Sequence, residues 1–132
     1  MDCTEYISSN FFKITDNDSF EELCDKLLGE VDLDISINEQ GIARITCEGE
    51  LCFDDEADDN GMDGFYKELQ PLIDPTDAAI FVSISNWGIE AICGKAVIIT
   101  HNKIVYKNLW EVLANETRAL LHNPEWTTQN DY

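Results

Sequence analysis

The stretch VDLDISINEQGIARITCEGELCF, Val31–Phe53, decides how this chain folds. Its first part alternates: Val31, Leu33, Ile35 and Ile37 point to one side, and Asp32, Asp34, Ser36 and Asn38 to the other. Period-two alternation is the signature of a strand with one buried face. Gln40-Gly41 supplies a turn, and Ile42–Phe53 returns as a second strand. Ile45, Cys47, Leu51 and Phe53 then face the core, with Arg44, Thr46, Glu48 and Glu50 outside. Gly49 in the middle predicts a bulge. Two alternating runs around a glycine turn make a hairpin.

Upstream, Tyr6–Ile14 reads as a strand stopped by Asp16-Asn17-Asp18. Asp18 is the expected N-cap of a helix over Ser19–Leu28, with Glu21 completing a capping box. Phe20, Leu23, Cys24 and Leu27 form its buried stripe, Glu21, Glu22 and Asp25 face outward, and Gly29 is the expected C-cap. Downstream, Asp54–Gly64 is an acidic loop leading into a short helix around Phe65–Gln70, which Pro71 ends. Ala78–Ser85, Ile89–Thr100 and Ile104–Lys107 read as strands. Leu109–His122 is a last helix with Leu109, Val112, Leu113 and Leu120 toward the core. The order β-α-β-β-α-β-β-β-α, joined mainly by hairpins, predicts an α+β fold. Its mostly antiparallel sheet has five to six strands, with two to three helices packed on it.

At 132 residues the chain fits one domain, 1–132. Its 44% hydrophobic content, spread over aromatic and β-branched residues, separates it from disordered acidic chains. No apolar run reaches the roughly 18 residues of a membrane span, and the N-terminus carries no secretory signal pattern. Cys3, Cys24, Cys47, Cys52 and Cys93 are odd in number and lack a CxxC pair, which predicts reduced thiols and a cytosolic setting.

Charge is distributed unevenly. Of 27 carboxylates and eight Lys/Arg, residues 1–77 hold 22 and four, a net −18; residues 78–132 hold five and four, a net −1. Crowding like charges into one half opposes compaction, so the concentration calls for a reason. A merely solubilising surface does not supply one.

The motifs for chemistry are incomplete. Glu56, Asp58, Asn60 and Gly61 match positions of an EF-hand loop, but Asp63 and Lys67 stand where an apolar residue and a bidentate Glu are required. Gly88–Lys95 has five residues between its glycines instead of four, and Ala96 replaces the magnesium-binding hydroxyl of a phosphate loop. His101 falls in a turn and His122 at a helix end, with no nucleophile motif beside either. No catalysis, cofactor or metal is expected.

The hairpin's outer face remains. Side chains on one face of a strand recur every ~6.8 Å and strands lie ~4.8 Å apart. Asp32 and Asp34 with Glu48 and Glu50 therefore make two short rows of carboxylates, continued by Asp54, Asp55, Glu56, Asp58, Asp59 and Asp63, with Glu21, Glu22 and Asp25 as a helical patch. Duplex DNA carries about one negative charge per 1.7 Å of its axis. A folded face of this density imitates it and draws a protein built to hold phosphates.

Tyr6–Leu23 (YISSNFFKITDNDSFEEL) and the closing Asn123–Gln129 (NPEWTTQ) resemble small proteins carried by phages and other mobile elements. The resemblance implies an accessory-gene setting, in which small acidic proteins act as anti-CRISPR or anti-restriction inhibitors and several mimic DNA. The expected function is therefore inhibition of a host nucleic-acid-targeting defence complex, a CRISPR effector foremost, in the host cytosol. The partner is a basic nucleic-acid-binding protein or complex, with no direct nucleic acid and no membrane. Asp32, Asp34, Glu48, Glu50, Asp54, Asp55, Glu56, Asp58, Asp59 and Asp63 make the contacts, and Phe65, Tyr66 and Trp87 serve as apolar anchors. The alternatives are an immunity protein neutralising a basic nuclease toxin, a small metal-dependent or hydrolytic enzyme, and an assembly adaptor.

Overall fold

A computed structural model of the chain describes residues 4–53, 62–86 and 92–127. It is an α+β arrangement in the expected element order, built on one sheet whose named pairings are all antiparallel. The strands are β1 (Thr4–Ser9), β2 (Phe12–Lys13), β3 (Leu27–Ile37), β4 (Ile42–Phe53), β5 (Ala78–Asn86), β6 (Ile92–Thr100) and β7 (Ile104–Asn108). The helices are α1 (Asn17–Cys24), α2 (Asp63–Leu69) and α3 (Leu109–Leu121), with a 3-10 turn at Gln70–Leu72. β3 pairs with one edge of β4. β1 and β2 share the other edge, and β5, β6 and β7 follow β1 in that order. The acidic and near-neutral halves thus contribute to a single sheet. No helix among the described residues is long and apolar enough to cross a membrane.

Among the described residues, seven strands replace the expected five to six, and the first one breaks in two. Between Ser8↔Thr46 and Phe12↔Ala43 the N-terminal strand carries one residue more than β4. At the break the Asn10 side chain continues the ladder to β5, accepting from the Ile80 N–H at 2.7 Å and donating to the Ala78 carbonyl at 3.0 Å. The neighbouring Ser9 is buried, and its hydroxyl accepts from the Ile45 N–H at 2.9 Å.

Two further expectations shift. The N-cap of α1 is Asp16, not Asp18. Its carboxylate accepts from the Asp18 and Ser19 N–H groups and from the Ser19 hydroxyl, whose bond to it at 2.8 Å helps hold the Asp16 carboxyl below its usual range. The capping partner three residues on is thus Ser19 rather than Glu21. The helix then ends at Cys24, and Gly29 is not its C-cap but a strand residue paired with Leu51. Leu27 still reaches the core, from β3.

The hairpin is regular near its turn, where Asn38 Oδ1 accepts from the Gln40 and Ile42 N–H groups and Gly41 takes φ +80°. Farther along, it is irregular twice. One register shift lies between Gly29 and Val31, opposite Gly49 at φ +87°. A second lies between Val31 and Asp34, where Asp32 takes φ +49°. The two extra residues fall on opposite strands, so the pairing recovers and the strand twists more strongly. A left-handed backbone is open to glycine and tolerated by Asp, which fits both positions. The second bulge folds Leu33 back over Gly29. A Cβ on Gly29 would sit 2.6 Å from Leu33 Cβ and 3.0 Å from Cys47 Sγ. Gly29→Ala is therefore expected to destabilise the chain by about 1–3 kcal/mol through overpacking, read as a lowered urea midpoint at unchanged slope.

One face of the sheet is covered. Phe12, Ile45, Phe53, Phe81 and Ile99 point inward and are closed over by Phe20 of α1 and Phe65, Tyr66 and Leu69 of α2, all buried. Phe81 sits at the centre of the aromatic cluster, with ring centroids 6.0 Å from Phe12, 6.2 Å from Phe65 and 5.3 Å from Tyr66. α3 departs from expectation: none of its residues is buried. It lies on the opposite face, its Leu109 side chain 3.0 Å from where a Cβ on Gly94 would stand. The space between the sheet and the helices on the covered face is already filled by α1 and α2, so Leu109, Val112, Leu113 and Leu120 are not core residues.

Candidate functional site: the open face of the sheet

Strand register places the outward side chains in rows that cross the sheet. One runs Glu48–Tyr6–Ile84–Gly94. The next runs Asp34–Thr46–Ser8–Val82–Ala96–Lys107, and a third ends in Ile80–Ile98–Val105. The open face is thus graded: carboxylates on β3 and β4, apolar side chains on β1, β5 and β6, and a cation on β7.

The acidic margin is built from alternation. In β4, Cys47, Leu51 and Phe53 are buried while Glu48 and Glu50 between them are exposed. Asp34 is exposed opposite Thr46, which makes it a diagonal neighbour of Glu48 at roughly 7–8 Å between Cα atoms. Asp32, exposed at its bulge, lines one shallow depression with Tyr6, Ser8, Thr46 and Glu48. Four of the expected contact residues are therefore brought together on one face. β3 pairs only with β4 among the described residues, so Asp32 and Asp34 stand on a rim strand and Glu48 and Glu50 on the strand beside it. Arg44 lies at the turn end of this margin, its guanidinium 5.0 Å from the centroid of the exposed Phe11 ring and its Nε donating to the Ser9 carbonyl at 3.3 Å.

The remaining expected site residues separate. Asp63 opens α2 on the covered side, where it accepts from the Tyr106 hydroxyl at 3.1 Å. Phe65 and Tyr66 are not surface anchors. Both are buried, because α2 must close the aromatic core and its positions 65, 66 and 69 supply the inward stripe. Glu21, Glu22 and Asp25 belong to α1 and so lie across the sheet from the hairpin's outer face. Asp54, Asp55, Glu56, Asp58, Asp59 and Trp87 are outside the described residues, as is most of the loop with EF-hand-like spacing.

A second concavity opens on the covered side, about 200 Å³, where the inward face of the sheet turns polar. Glu5, Ser83, Ser85, Cys93 and Lys95 line it beneath Met62 and Tyr66. Burial raises the Tyr66 hydroxyl well above its usual range, Tyr106 and Asp63 adding to this, so it stays protonated and is no general base. Elsewhere burial pushes the Cys24 thiol up to about 12, with Asp25 and Glu21 adding, which keeps it from acting as a thiolate.

Sequence reasoning missed the apolar part of the open face. Within Ala78–Asn86 the outward residues are Ile80, Val82 and Ile84, whereas the inward ones pass from Ala79 and Phe81 to Ser83 and Ser85. The signal was present as the alternation I-x-V-S-I-S, the cleanest apolar stripe of the strand, and it faces away from the core.

Compared with protein-family models, curated proteins and solved structures, this chain has no match.

Proposed function

We propose that this chain works by binding, as an inhibitor whose acidic sheet margin occupies a Lys/Arg-lined groove of a nucleic-acid-targeting complex. The target class is a host defence effector of the CRISPR kind, which follows from the mobile-element resemblance of Tyr6–Leu23. The observation that carries the reading is the common placement of Asp32, Asp34, Glu48 and Glu50, all exposed, on the outer face of a hairpin at the sheet's rim. Asp34 and Glu48, paired in the β3–β4 ladder, incur little ordering cost on binding, because the ladder already holds their backbone. The chain's net charge of −19 steers such an encounter and turns nucleic acid itself away.

The test is a plasmid-interference assay. Cells carrying a CRISPR effector and its matching guide are transformed with a targeted plasmid, with and without this chain. Restored transformation with at least one effector type is expected. Unchanged interference across the effector types would remove the inhibitor reading.

A further inference from the structure

The open face between β1 and α3 is apolar, and the described residues leave it uncovered. Ile80, Val82 and Ile84 of β5 are 37, 44 and 49% exposed, and Tyr6, beside Ile84 on β1, is 51% exposed. α3 buries none of its 13 residues; Leu109, Val112 and Leu113 keep 44–46% of their surface and Leu120 keeps 74%. Between helix and sheet runs a groove of about 330 Å³, lined by Val82, Ile84, Gly94, Ala96, Leu109 and Val112. A helix of this length is marginal alone in water and takes its stability from packing one apolar stripe. Here the stripe has Gly94 under its first turn and open space beyond.

We propose that this face joins two copies of the chain in a two-fold dimer, the α3 and β5 stripes of one copy packing on the same elements of the other. Area supports a second copy as the occupant. Eight large apolar side chains, each about half exposed, present surface on the order of the ~800 Å² that each partner gives to a standard interface, more than the few hundred Å² of an ordinary monomer patch. Charge supports it too. The face is built largely from the segment 78–132, which balances five carboxylates against four Lys/Arg, whereas two copies meeting through residues 1–77 would bring −18 against −18. Lys107 on β7 and Glu116, which falls within the α3 stripe, give the face both signs, as a self-complementary surface requires. A basic partner has no electrostatic reason to prefer this face, since the carboxylates begin on β4, the strand next to Tyr6, and offer it the stronger field.

Sedimentation equilibrium of the purified full chain tests the proposal without any target present. At about 100 μM the mass should be twice the 15.0 kDa of one chain. The dimer should tighten several-fold between about 0.1 M and about 1 M salt, as the screening length falls from about 10 Å to about 3 Å and the repulsion between two acidic chains fades. Ile84→Gln and Val112→Gln leave the net charge unchanged and alter exposed side chains. Each should weaken the dimer at least about tenfold, because each occurs twice in a two-fold interface, while circular dichroism stays that of the folded chain. Glu21→Gln, on the far side of the sheet, should change nothing. A mass of 15.0 kDa at both salt concentrations would overturn the proposal. So would a dimer indifferent to both glutamine substitutions.

Discussion

Replacing Phe81 by alanine is expected to destabilise the chain by about 3–5 kcal/mol, a large share of the ~5–15 kcal/mol typical of a folded domain. Phe81 is almost completely buried and its ring meets Phe12, Phe65 and Tyr66, so truncation removes contacts from strand and helix together. The neighbours cannot close the gap by small adjustments. Phe12 is held in the β2–β4 ladder, and Phe65 is wedged between Phe53 and Phe81. Phe65→Ala should cost a similar amount for the same reason. Urea denaturation of both variants measures this directly. If Phe65→Ala instead kept wild-type stability and lost only partner binding, its place in the core would be wrong.

Neutralising the acidic margin should act in the opposite sense on stability and in the loss direction on binding. In Asp34→Asn/Glu48→Gln/Glu50→Gln, three exposed carboxylates of adjoining strands lose their charge while keeping their shape. Like charges close across strands oppose pairing, so the variant should melt at the same temperature as the parent or higher. Partner binding should fall by at least about tenfold, mainly through a slower association rate, and the remaining binding should respond less to salt. Both readouts are needed. A loss of inhibition with a lower melting temperature would report a damaged fold, and full inhibition by a stable variant would exclude these three carboxylates from the mechanism.

The order of elements was readable because its signals are local. Alternation over Val31–Phe53, the stripe at Phe20, Leu23 and Cys24, and the glycines at the turn and bulge each act within a few residues. The departures come from packing between distant segments. Asn10 breaks the first strand because β5 offers it an N–H and a carbonyl, which cannot be foreseen from Tyr6–Ile14 alone. Phe65 and Tyr66 follow an acidic loop and so resemble surface anchors. Their spacing to Leu69 marked a buried helical stripe, and the core claims them. The apolar positions of α3 fix which side of that helix avoids water but not what covers it. In β5 the apolar alternation is real, yet it lies on the face opposite the core. For the candidate site, periodicity put Asp34, Glu48 and Glu50 outward correctly. It could not reveal that α1 would carry Glu21, Glu22 and Asp25 to the other side of the sheet.

Carboxyl footprinting of the chain, free and bound to an effector identified by the interference assay, tests the proposed binding mode most directly. A carbodiimide-coupled amine labels exposed carboxylates, and the labelled positions are read by mass spectrometry. Asp32, Asp34, Glu48 and Glu50 should be labelled in the free chain and protected in the complex, with Glu21 and Glu22 labelled equally in both. Protection confined to α1, or to the segment after Ala78, would contradict an inhibitor that binds through the rim of its sheet.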